Sequence, residues 1–181
     1  IGVRGGSKRV ANKNSRPFCG SNLLTLKIAT LQRVPGIARV MVNSECDELL
    51  RIARSCGAQT TKRDAKFASD QISASDYYQN SAENCDADVI LSASVTTPLF
   101  SVESYQKGIE AFYQTDYARH DSVTSCCRVK EFLYQDGVPI NYDPAMQVRS
   151  QDLPEIFSVN YGFSIIRRCD MIKYRNIVGR R

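Results

Sequence analysis

The sequence has no acidic residue before Glu45, although eight of its 24 Lys and Arg residues lie in that part. Such an unbalanced cationic segment is typical of a surface that binds nucleic acid, a membrane surface or a small polyphosphate. Proteins that bind nucleic acid usually place aromatic stacking platforms or a recognition helix among their cations. Phe18 is the only aromatic residue before Glu45. The composition therefore favours a polyphosphate ligand and argues against nucleic acid.

Metal-ligand spacings and long apolar runs are also missing. His120 is the only histidine and none of the seven cysteines belongs to a Cys-x-x-Cys pair, so a zinc site of the Cys/His type is not expected. No apolar run approaches the roughly 18 residues of a membrane span, and no secretory signal is visible, so we expect no membrane partner. The chain begins at Ile1 rather than Met, which suggests a fragment or a trimmed chain.

The cysteines are scattered along the sequence, and we interpret them as free thiols. Cys126 and Cys127 are adjacent within an apolar run, which predicts that both are buried in a strand. Free thiols are typical of a reducing compartment, so the cysteine pattern predicts a cytoplasmic protein.

Apolar periodicity predicts strands that alternate with amphipathic helices. The predicted strands cover residues 1–3, 37–42, 88–93, 122–127 and 157–166. The predicted helices have apolar faces formed by Leu24, Ile28 and Leu31, by residues 49–56, and by Val102, Tyr105, Ile109 and Phe112. Ser44 with Asp47 resembles a capping box, Ser101 is a candidate N-cap, and residues 136–137 and 142–144 have turn composition. The alternation predicts one α/β domain, residues 1–181, with a mainly parallel sheet.

A glycine-rich cationic loop follows the first predicted strand, where residues 4–8 are Arg-Gly-Gly-Ser-Lys. Ligands of α/β sheets lie beyond the carboxyl ends of strands, and glycines there let backbone N–H groups approach phosphates closely. Neither Gly-x-x-x-x-Gly-Lys-Ser/Thr nor Gly-x-Gly-x-x-Gly is present. Without further context, the loop fits a phosphate site and a solvated basic turn equally well.

Four segments in order along the chain make this loop more specific. Residues 4–8, then Lys13-Asn14, Arg16-Pro17 and Gly20, resemble the opening of the acylneuraminate (sialic acid) cytidylyltransferase family. Arg63 followed by Ala68 and Asp70 resembles the family's Arg-Pro-x-x-Leu-Ala-x-Asp stretch without its proline. Residues 95–99 resemble its Gln-Pro-Thr-Ser-Pro-Leu loop, and residues 149–154 and 160–162 resemble its Arg-Arg-Gln-Asp-Leu-Pro segment and the Asn-Gly that follows. The resemblance spans residues 1–163.

The resemblance implies a three-layer α/β/α nucleotide-binding domain, Rossmann-like and of the nucleotide-diphospho-sugar transferase type. It implies an enzyme that joins CTP to a nonulosonic (sialic-type) acid and releases pyrophosphate. Two alternatives stay open: the same reaction on another 3-deoxy sugar acid such as 3-deoxy-manno-octulosonate, and a catalytically inactive nucleotide-binding homologue. Phosphoryl transfer of this kind requires positioning and charge neutralisation more than covalent help.

The chemistry and the resemblance together assign roles to individual residues. The catalytic candidates are the cations that would contact phosphates, Arg4, Lys8 and Lys13. The nucleotide-binding candidates are Gly5, Gly6, Ser7, Asn14, Arg63 and Ile72. The sugar-binding candidates are Ser94, Thr96, Arg149, Gln151 and Tyr161.

Several positions depart from the family pattern. Ser94 stands where the family usually has Gln, which would enlarge or rewire the sugar pocket, so the sugar need not be ordinary N-acetylneuraminate. Arg9 replaces a common glycine and has no assigned role, and Glu45 stands where the family has an aspartate.

A Mg²⁺ ion is expected with CTP. The family's metal-binding carboxylates lie in an Asp-x-Asp segment beyond the position of Arg181, so no protein ligand can be named. Either the chain lacks its C-terminal end, or the protein does not complete the usual site. The resemblance also implies a homodimer or a dimer of dimers that pairs through residues near 130–155. Phe132, Leu133 and Tyr134 form an apolar patch there, which could equally be an internal strand.

Overall fold

The computed structural model describes residues 1–7 and 9–181, and Lys8 lies outside the described residues. The chain divides into two compact units, the first formed by Ile1–Thr124 with Tyr161–Arg181 and the second by Ser125–Asn160. The single-domain arrangement stays a prediction, because compact units of one chain can belong to one domain. No helix among the described residues is long and apolar enough to cross a membrane.

The first unit contains most of the regular structure. Its helices are α1 (Leu23–Gln32), α2 (Asp47–Ser55), α3 (Ala74–Glu83), α4 (Val102–Gln114) and α5 (Arg168–Tyr174), with a 3-10 helix at Ala65–Ala68. The strands, in chain order, are β1 (Pro17–Phe18), β2 (Ser21–Asn22), β3 (Met41–Ser44), β4 (Gln59–Lys62), β5 (Val89–Ala93), β6 (Ser122–Val129), β7 (Tyr134–Gln135), β8 (Val138–Pro139) and β9 (Ile156–Arg167). Strands β7 and β8 lie in the second unit, and β6 and β9 each have residues in both units.

Strand pairing in the first unit is mixed. Strand β3 pairs in parallel with β4 from Met41↔Gln59 to Ser44↔Lys62, and Gly2 forms a parallel bridge with Asn43. Strand β5 pairs antiparallel with β9, which is the central strand of a three-stranded sheet with β5 and β6. The α/β prediction is confirmed. The predicted strand at 37–42 is shifted to Met41–Ser44, because residues 34–37 form a turn in which the Ile37 N–H donates to Val34 O over 3.3 Å.

Local capping residues determine where the helices begin. Ser101 caps α4 as predicted, since its hydroxyl accepts the Ser104 N–H at 3.2 Å. The predicted capping box of Ser44 with Asp47 is wrong. Ser44 is the last residue of β3, and its hydroxyl accepts the Cys46 N–H at 3.1 Å, before the helix starts. Cys46 is therefore the N-cap of α2 and has no side-chain capping bond.

The core of the first unit lies between these helices and strands. Its buried apolar residues include Val3, Leu24, Ile28, Val42 and Phe112. Around them, Phe100, Tyr105 and Phe163 pack with ring centroids 5.5–5.7 Å apart. Gly108 on α4 is required by this packing, because a Cβ there would lie 2.4 Å from the Phe163 ring.

The second unit is built around a short hairpin of β7 and β8, with Tyr134 opposite Pro139. Asp136 (φ 51°) and Gly137 (φ 81°) form the predicted turn with two positive φ angles. Lys130 donates to the carbonyls of Gln151 at 3.2 Å and Leu153 at 2.8 Å, which ties the two ends of this unit together.

The cysteine prediction is confirmed in one respect and wrong in another. All seven cysteines are free thiols, as predicted. Cys126 and Cys127, however, are exposed rather than buried. They lie with Arg128 in the exposed part of β6, where the apolar run does not reach a core. An apolar run in the sequence therefore identified the strand but not its burial.

Candidate functional site

The first unit contains a cavity of about 470 Å³ beside the glycine loop. It is lined by Gly2, Val3, Arg4, Ser7, Arg9, Val10, Lys13, Asn14, Ser94, Val95 and Thr96. The volume lies in the usual range for small-molecule sites. Six of the predicted site residues meet here: Arg4, Ser7, Lys13, Asn14, Ser94 and Thr96. The structure therefore brings Arg4 and Lys13, two of the three predicted phosphate residues, and part of the predicted sugar residues to one cavity.

The two walls of the cavity both follow strand ends. The Val3 N–H donates to Asn43 O over 3.1 Å, so the glycine loop starts where the parallel pairing with β3 stops. Ser94 follows directly after β5. Ligands of α/β sheets bind at such carboxyl ends, where loops rather than strands determine the chemistry.

Arg4, Arg9 and Lys13 give the cavity an excess of positive charge. Arg4 forms an exposed ion pair with Asp70, with 2.8 Å between Nη1 and Oδ1, and also donates to Ala68 O at 3.1 Å. Within residues 1–7 and 9–181, the side chains of Arg9 and Lys13 have no ion-pair partner. An exposed ion pair contributes only about 0–1 kcal/mol, so an incoming anion can compete for Arg4. The site suits a multiply charged anion.

Asn14 lines the cavity and has an unsatisfied buried acceptor. Its side chain is 6% exposed, and its amide nitrogen donates to Arg4 O over 2.9 Å. Its Oδ1 has no hydrogen-bond partner among the described residues. A buried acceptor without a partner costs about 1–3 kcal/mol, which a ligand hydroxyl or amino group could recover.

Arg63 and Gly5 are connected by one carboxylate behind the loop. Glu45 accepts the Gly5 N–H with Oε1 at 2.7 Å and pairs with Arg63 through Oε2 at 2.6 Å. Arg63 is 4% exposed, donates to Val3 O over 2.7 Å, and lies 5.1 Å from the Tyr77 ring centroid. It does not line the cavity. In this conformation Arg63 supports the loop from behind.

The second wall is a compact hydroxyl turn. Ser94 Oγ and Thr96 Oγ1 are 2.7 Å apart, and the Thr96 N–H donates to Ser94 Oγ over 3.2 Å. The Thr97 hydroxyl donates to Ser94 O at 3.0 Å. These bonds fix the direction in which the two lining hydroxyls point.

A buried lysine holds this turn from the protein interior. Lys27 of α1 is 1% exposed and donates to Thr97 O at 2.8 Å and to the Tyr105 hydroxyl at 2.6 Å. Burial lowers the pKa of Lys27 from its usual 10.5 to about 8. Burial also raises the pKa of Tyr105 to about 12, so that this hydroxyl stays protonated.

The remaining predicted site residues that the structure describes lie outside the cavity lining. Gly6 is exposed with a φ of 62°, a conformation that favours glycine, and Ile72 is half-buried between the 3-10 helix and α3. Tyr161 is 56% exposed and has a φ of 56°, which is strained for a bulky residue. Arg149 and Gln151 belong to the second unit, where Arg149 pairs with Asp152 at 2.7 Å. Lys8 lies outside the described residues.

Known proteins resemble the chain along nearly its whole length. The family model described as Cytidylyltransferase matches residues 1–178. The chain belongs to the cytidylyltransferase family. It is 26% identical over 175 residues to an N-acylneuraminate cytidylyltransferase of Oncorhynchus mykiss, a match that covers 92% of this chain and 40% of that protein. It is 28% identical over 120 residues to a pseudaminic acid cytidylyltransferase of Campylobacter jejuni, which covers 63% of this chain and 52% of that protein.

A solved structure shows the type of fold. The structure of CMP:2-keto-3-deoxy-manno-octonic acid synthetase complexed with CTP superposes with a TM-score of 0.73 at 15% identity, covering 96% of this chain and 74% of that chain. The predicted nucleotide-diphospho-sugar transferase type of fold is confirmed. The cytidylyltransferase-family chain described here spans about two fifths of the length of the Oncorhynchus relative.

Two charged residues behind the lining of this cytidylyltransferase-family site were not predicted as site residues from the sequence. Glu45 was noted only as a departure from the family pattern, and nothing in the sequence links it to both Gly5 and Arg63. Lys27 could have been found, because it lies at helical spacing among Leu24, Ile28 and Leu31 on the buried face of α1. A lysine on an apolar face is a signal for a buried polar network.

The described residues do not supply a ready metal site. No group of three or more His, Cys, Asp or Glu side chains among them could hold a metal ion. The expected Mg²⁺ therefore stays a prediction, and no protein ligand is assigned to it.

Proposed function

We propose that the protein is a CTP-dependent cytidylyltransferase that joins CTP to a nonulosonic (sialic-type) acid, giving a CMP-sugar and pyrophosphate. The observation that carries the proposal is the cavity, in which the glycine loop forms one wall and Arg9 and Lys13 have no ion-pair partner among the described residues. The names of two relatives, an N-acylneuraminate and a pseudaminic acid cytidylyltransferase, favour this substrate class.

The nucleotide would occupy the wall formed by the glycine loop. Lys13 lines the cavity with an ammonium that makes no ion pair within the described part of the chain. The guanidinium of Arg4 can exchange Asp70 for phosphate oxygens. Lys8, from the same motif, is proposed for the same task. Ser7 and the unsatisfied Oδ1 of Asn14 can orient the nucleotide by hydrogen bonds. We propose that Gly5, Gly6, Arg63 and Ile72 shape the nucleotide side.

The sugar acid would occupy the wall formed by Ser94 and Thr96. In the reaction its anomeric hydroxyl oxygen bonds to the α-phosphorus, the bond from that phosphorus to the bridging oxygen breaks, and pyrophosphate leaves. The hydroxyl proton is released in this step. The contribution of the protein is alignment and neutralisation of phosphate charge, which the cations and the fixed hydroxyls are suited to provide. Arg149, Gln151 and Tyr161 are proposed as further contacts of the sugar.

Magnesium is proposed as part of the substrate complex, bound mainly by triphosphate oxygens. When bound, it would neutralise phosphate charge. No step above depends on a protein ligand to it.

Two further properties are proposed. The second unit exposes several large apolar side chains, among them Tyr134, Val138, Ile140 and Met146, each more than half exposed. We propose that this face pairs subunits into a homodimer or a dimer of dimers, and light scattering would test it. A cytoplasmic location is proposed from the seven free cysteines.

The activity is tested by pyrophosphate release from CTP with Mg²⁺ and a panel of nonulosonic acids and 3-deoxy-manno-octulosonate, using the full-length protein. We expect turnover with a nonulosonic acid and little with 3-deoxy-manno-octulosonate, and none when UTP or ATP replaces CTP. Preferred turnover of 3-deoxy-manno-octulosonate would shift the assignment to that substrate. Tight CTP binding without turnover of any sugar acid would refute the enzyme and favour a nucleotide-binding homologue.

A further inference from the structure

Lys27 is a buried ammonium that no carboxylate of the described residues neutralises. It is 1% exposed, and among residues 1–7 and 9–181 it forms no ion pair. Its hydrogen-bond acceptors are neutral: the Thr97 carbonyl at 2.8 Å and the Tyr105 hydroxyl at 2.6 Å. Lysine is among the residues that are almost never fully buried unless they are paired. An apolar residue of similar volume would be as stable or more stable at such a position.

The hydrogen bonds of Lys27 lead to one wall of the cavity. They join helix α1 to α4 through Tyr105 and to the turn after β5 through Thr97. Thr97 in turn donates its hydroxyl to Ser94 O at 3.0 Å. Ser94 and Thr96 are the lining residues of this wall, with their hydroxyl oxygens 2.7 Å apart. The ammonium is therefore two hydrogen bonds away from the side chains that face the cavity.

Lys27 is not itself among the lining residues, so it is not placed to touch a ligand. Tyr105 has a second bond, since its hydroxyl donates to Gly162 O over 3.4 Å. The phenol therefore keeps one partner when the ammonium is removed. The Thr97 carbonyl also accepts the Phe100 N–H over 3.3 Å, so it likewise keeps one longer bond. Loss of Lys27 removes the 2.8 Å bond that joins helix α1 to the turn after β5.

We propose that Lys27 is a positioning residue: it holds residues 94–97 in the conformation that receives the sugar acid, and the protein retains it for this purpose at the expense of stability. The proposal rests on the proposed function for the identity of the ligand. A positioning role and a purely structural role predict different effects on stability when the side chain is removed. A structural residue stabilises the fold, whereas removal of a residue retained only for positioning leaves stability unchanged or higher and harms the site.

The decisive variant is Lys27→Met, which keeps the length of the side chain and removes the charge. Lys107→Met, an exposed lysine on α4, is the matched control. We expect the KM for the sugar acid to rise about tenfold, the size expected for one lost hydrogen bond of a charged group. The KM for CTP should stay within about twofold, because the glycine loop does not depend on this bond. The Tm should equal or exceed that of the wild type.

A second readout does not need activity. Amide hydrogen exchange, followed by mass spectrometry on the unliganded protein, should be faster in Lys27→Met for the peptide that covers residues 94–97. Peptides of α2 and β3 should exchange as in the wild type. Lys107→Met should change neither region. This measurement tests the positioning even where no turnover is found, so failure of the enzyme assignment and failure of this inference are distinguishable.

Tyr105→Phe provides a milder variant in case Lys27→Met does not fold, with Tyr113→Phe, an exposed tyrosine of the same helix, as its control. It removes one acceptor from Lys27, and a smaller change of the same kind is expected in exchange and in the sugar KM. Unchanged exchange at 94–97 together with an unchanged sugar KM in a folded variant would overturn the proposal. A lower Tm with equal losses for both substrates would also overturn it, because that result describes a structural residue.

Discussion

Glu45 and Arg63 form an ion pair of 2.6 Å between Oε2 and Nη2, and the other oxygen of the same carboxylate accepts the Gly5 N–H at 2.7 Å. One side chain thus connects the glycine loop to a buried guanidinium. The carboxylate side chain is 17% exposed and that of Arg63 is 3% exposed, so water screens this pair little. The backbone of Gly5 is therefore held by a charged residue before any ligand arrives.

Replacement Glu45→Gln should destabilise the protein by about 2 kcal/mol, because it leaves a buried guanidinium without its counter-charge. The KM for CTP should also rise, since the glycine loop loses its anchor. Urea unfolding and steady-state kinetics measure the two effects. Asp47→Asn, which breaks an exposed pair with Lys62, is the control and should behave as the wild type. Equal stability of Glu45→Gln and the wild type would show that the pair does not hold the loop.

Replacement Lys13→Ala should reduce kcat/KM for CTP by about a hundredfold, the usual cost of removing one group that stabilises transition-state charge. Lys13 lines the cavity and makes no ion pair among the described residues, so the Tm should hardly change. Lys107→Ala serves as the control. A large fall in Tm with normal turnover per folded molecule would mean that Lys13 is structural.

The stability of the wild type relative to Lys27→Met should increase with pH. Burial lowers the pKa of Lys27 from 10.5 to about 8, so between these values the unfolded chain binds more protons than the folded protein. Folding must therefore either remove the proton of Lys27 or bury its charge, and this costs more free energy at pH 7.5 than at pH 9.5. The difference in the free energy of unfolding between wild type and variant should rise by about 2 kcal/mol over this interval. Urea unfolding of both proteins at several pH values measures it, and a flat difference would contradict the shifted pKa.

Tyr161 offers a test of strain at a proposed sugar contact. Its φ of 56° is a conformation that glycine adopts freely and tyrosine does not. Tyr161→Gly should therefore be more stable than Tyr161→Ala by about 1 kcal/mol, because both lose the ring and only glycine relieves the backbone. Both variants should raise the KM for the sugar acid by a similar factor. Equal stability of the two variants would show that the backbone is not strained at this position.

The sequence predicted those features that depend on neighbours along the chain. Ser101 as a cap, the turn at Asp136–Gly137 and the apolar face of α1 are all local signals, and the structure has each of them. Helix α3 was not predicted, because Ala82 is its only buried residue and its other positions give little apolar periodicity.

Features that depend on distant contacts were missed or wrong. The burial of Cys126 and Cys127 depends on what covers β6, which an apolar run does not reveal. The bond of Glu45 to Gly5 joins residues 40 positions apart, and that of Lys27 to Thr97 spans 70. In the candidate site, six of the eleven lining residues were predicted, whereas the roles of the charged residues behind the lining could be recognised only from the structure.

Asp70 forms an exposed ion pair with Arg4, so its carboxylate competes for Arg4 with any anion that enters the cavity. A triphosphate brings several negative charges and can outcompete one aspartate, whereas a nucleoside monophosphate ester brings a single charge to the same contest. After the proposed transfer, the guanidinium can return to Asp70 as the CMP-sugar leaves. The ion pair would then contribute to product release and to discrimination against nucleotides of low charge.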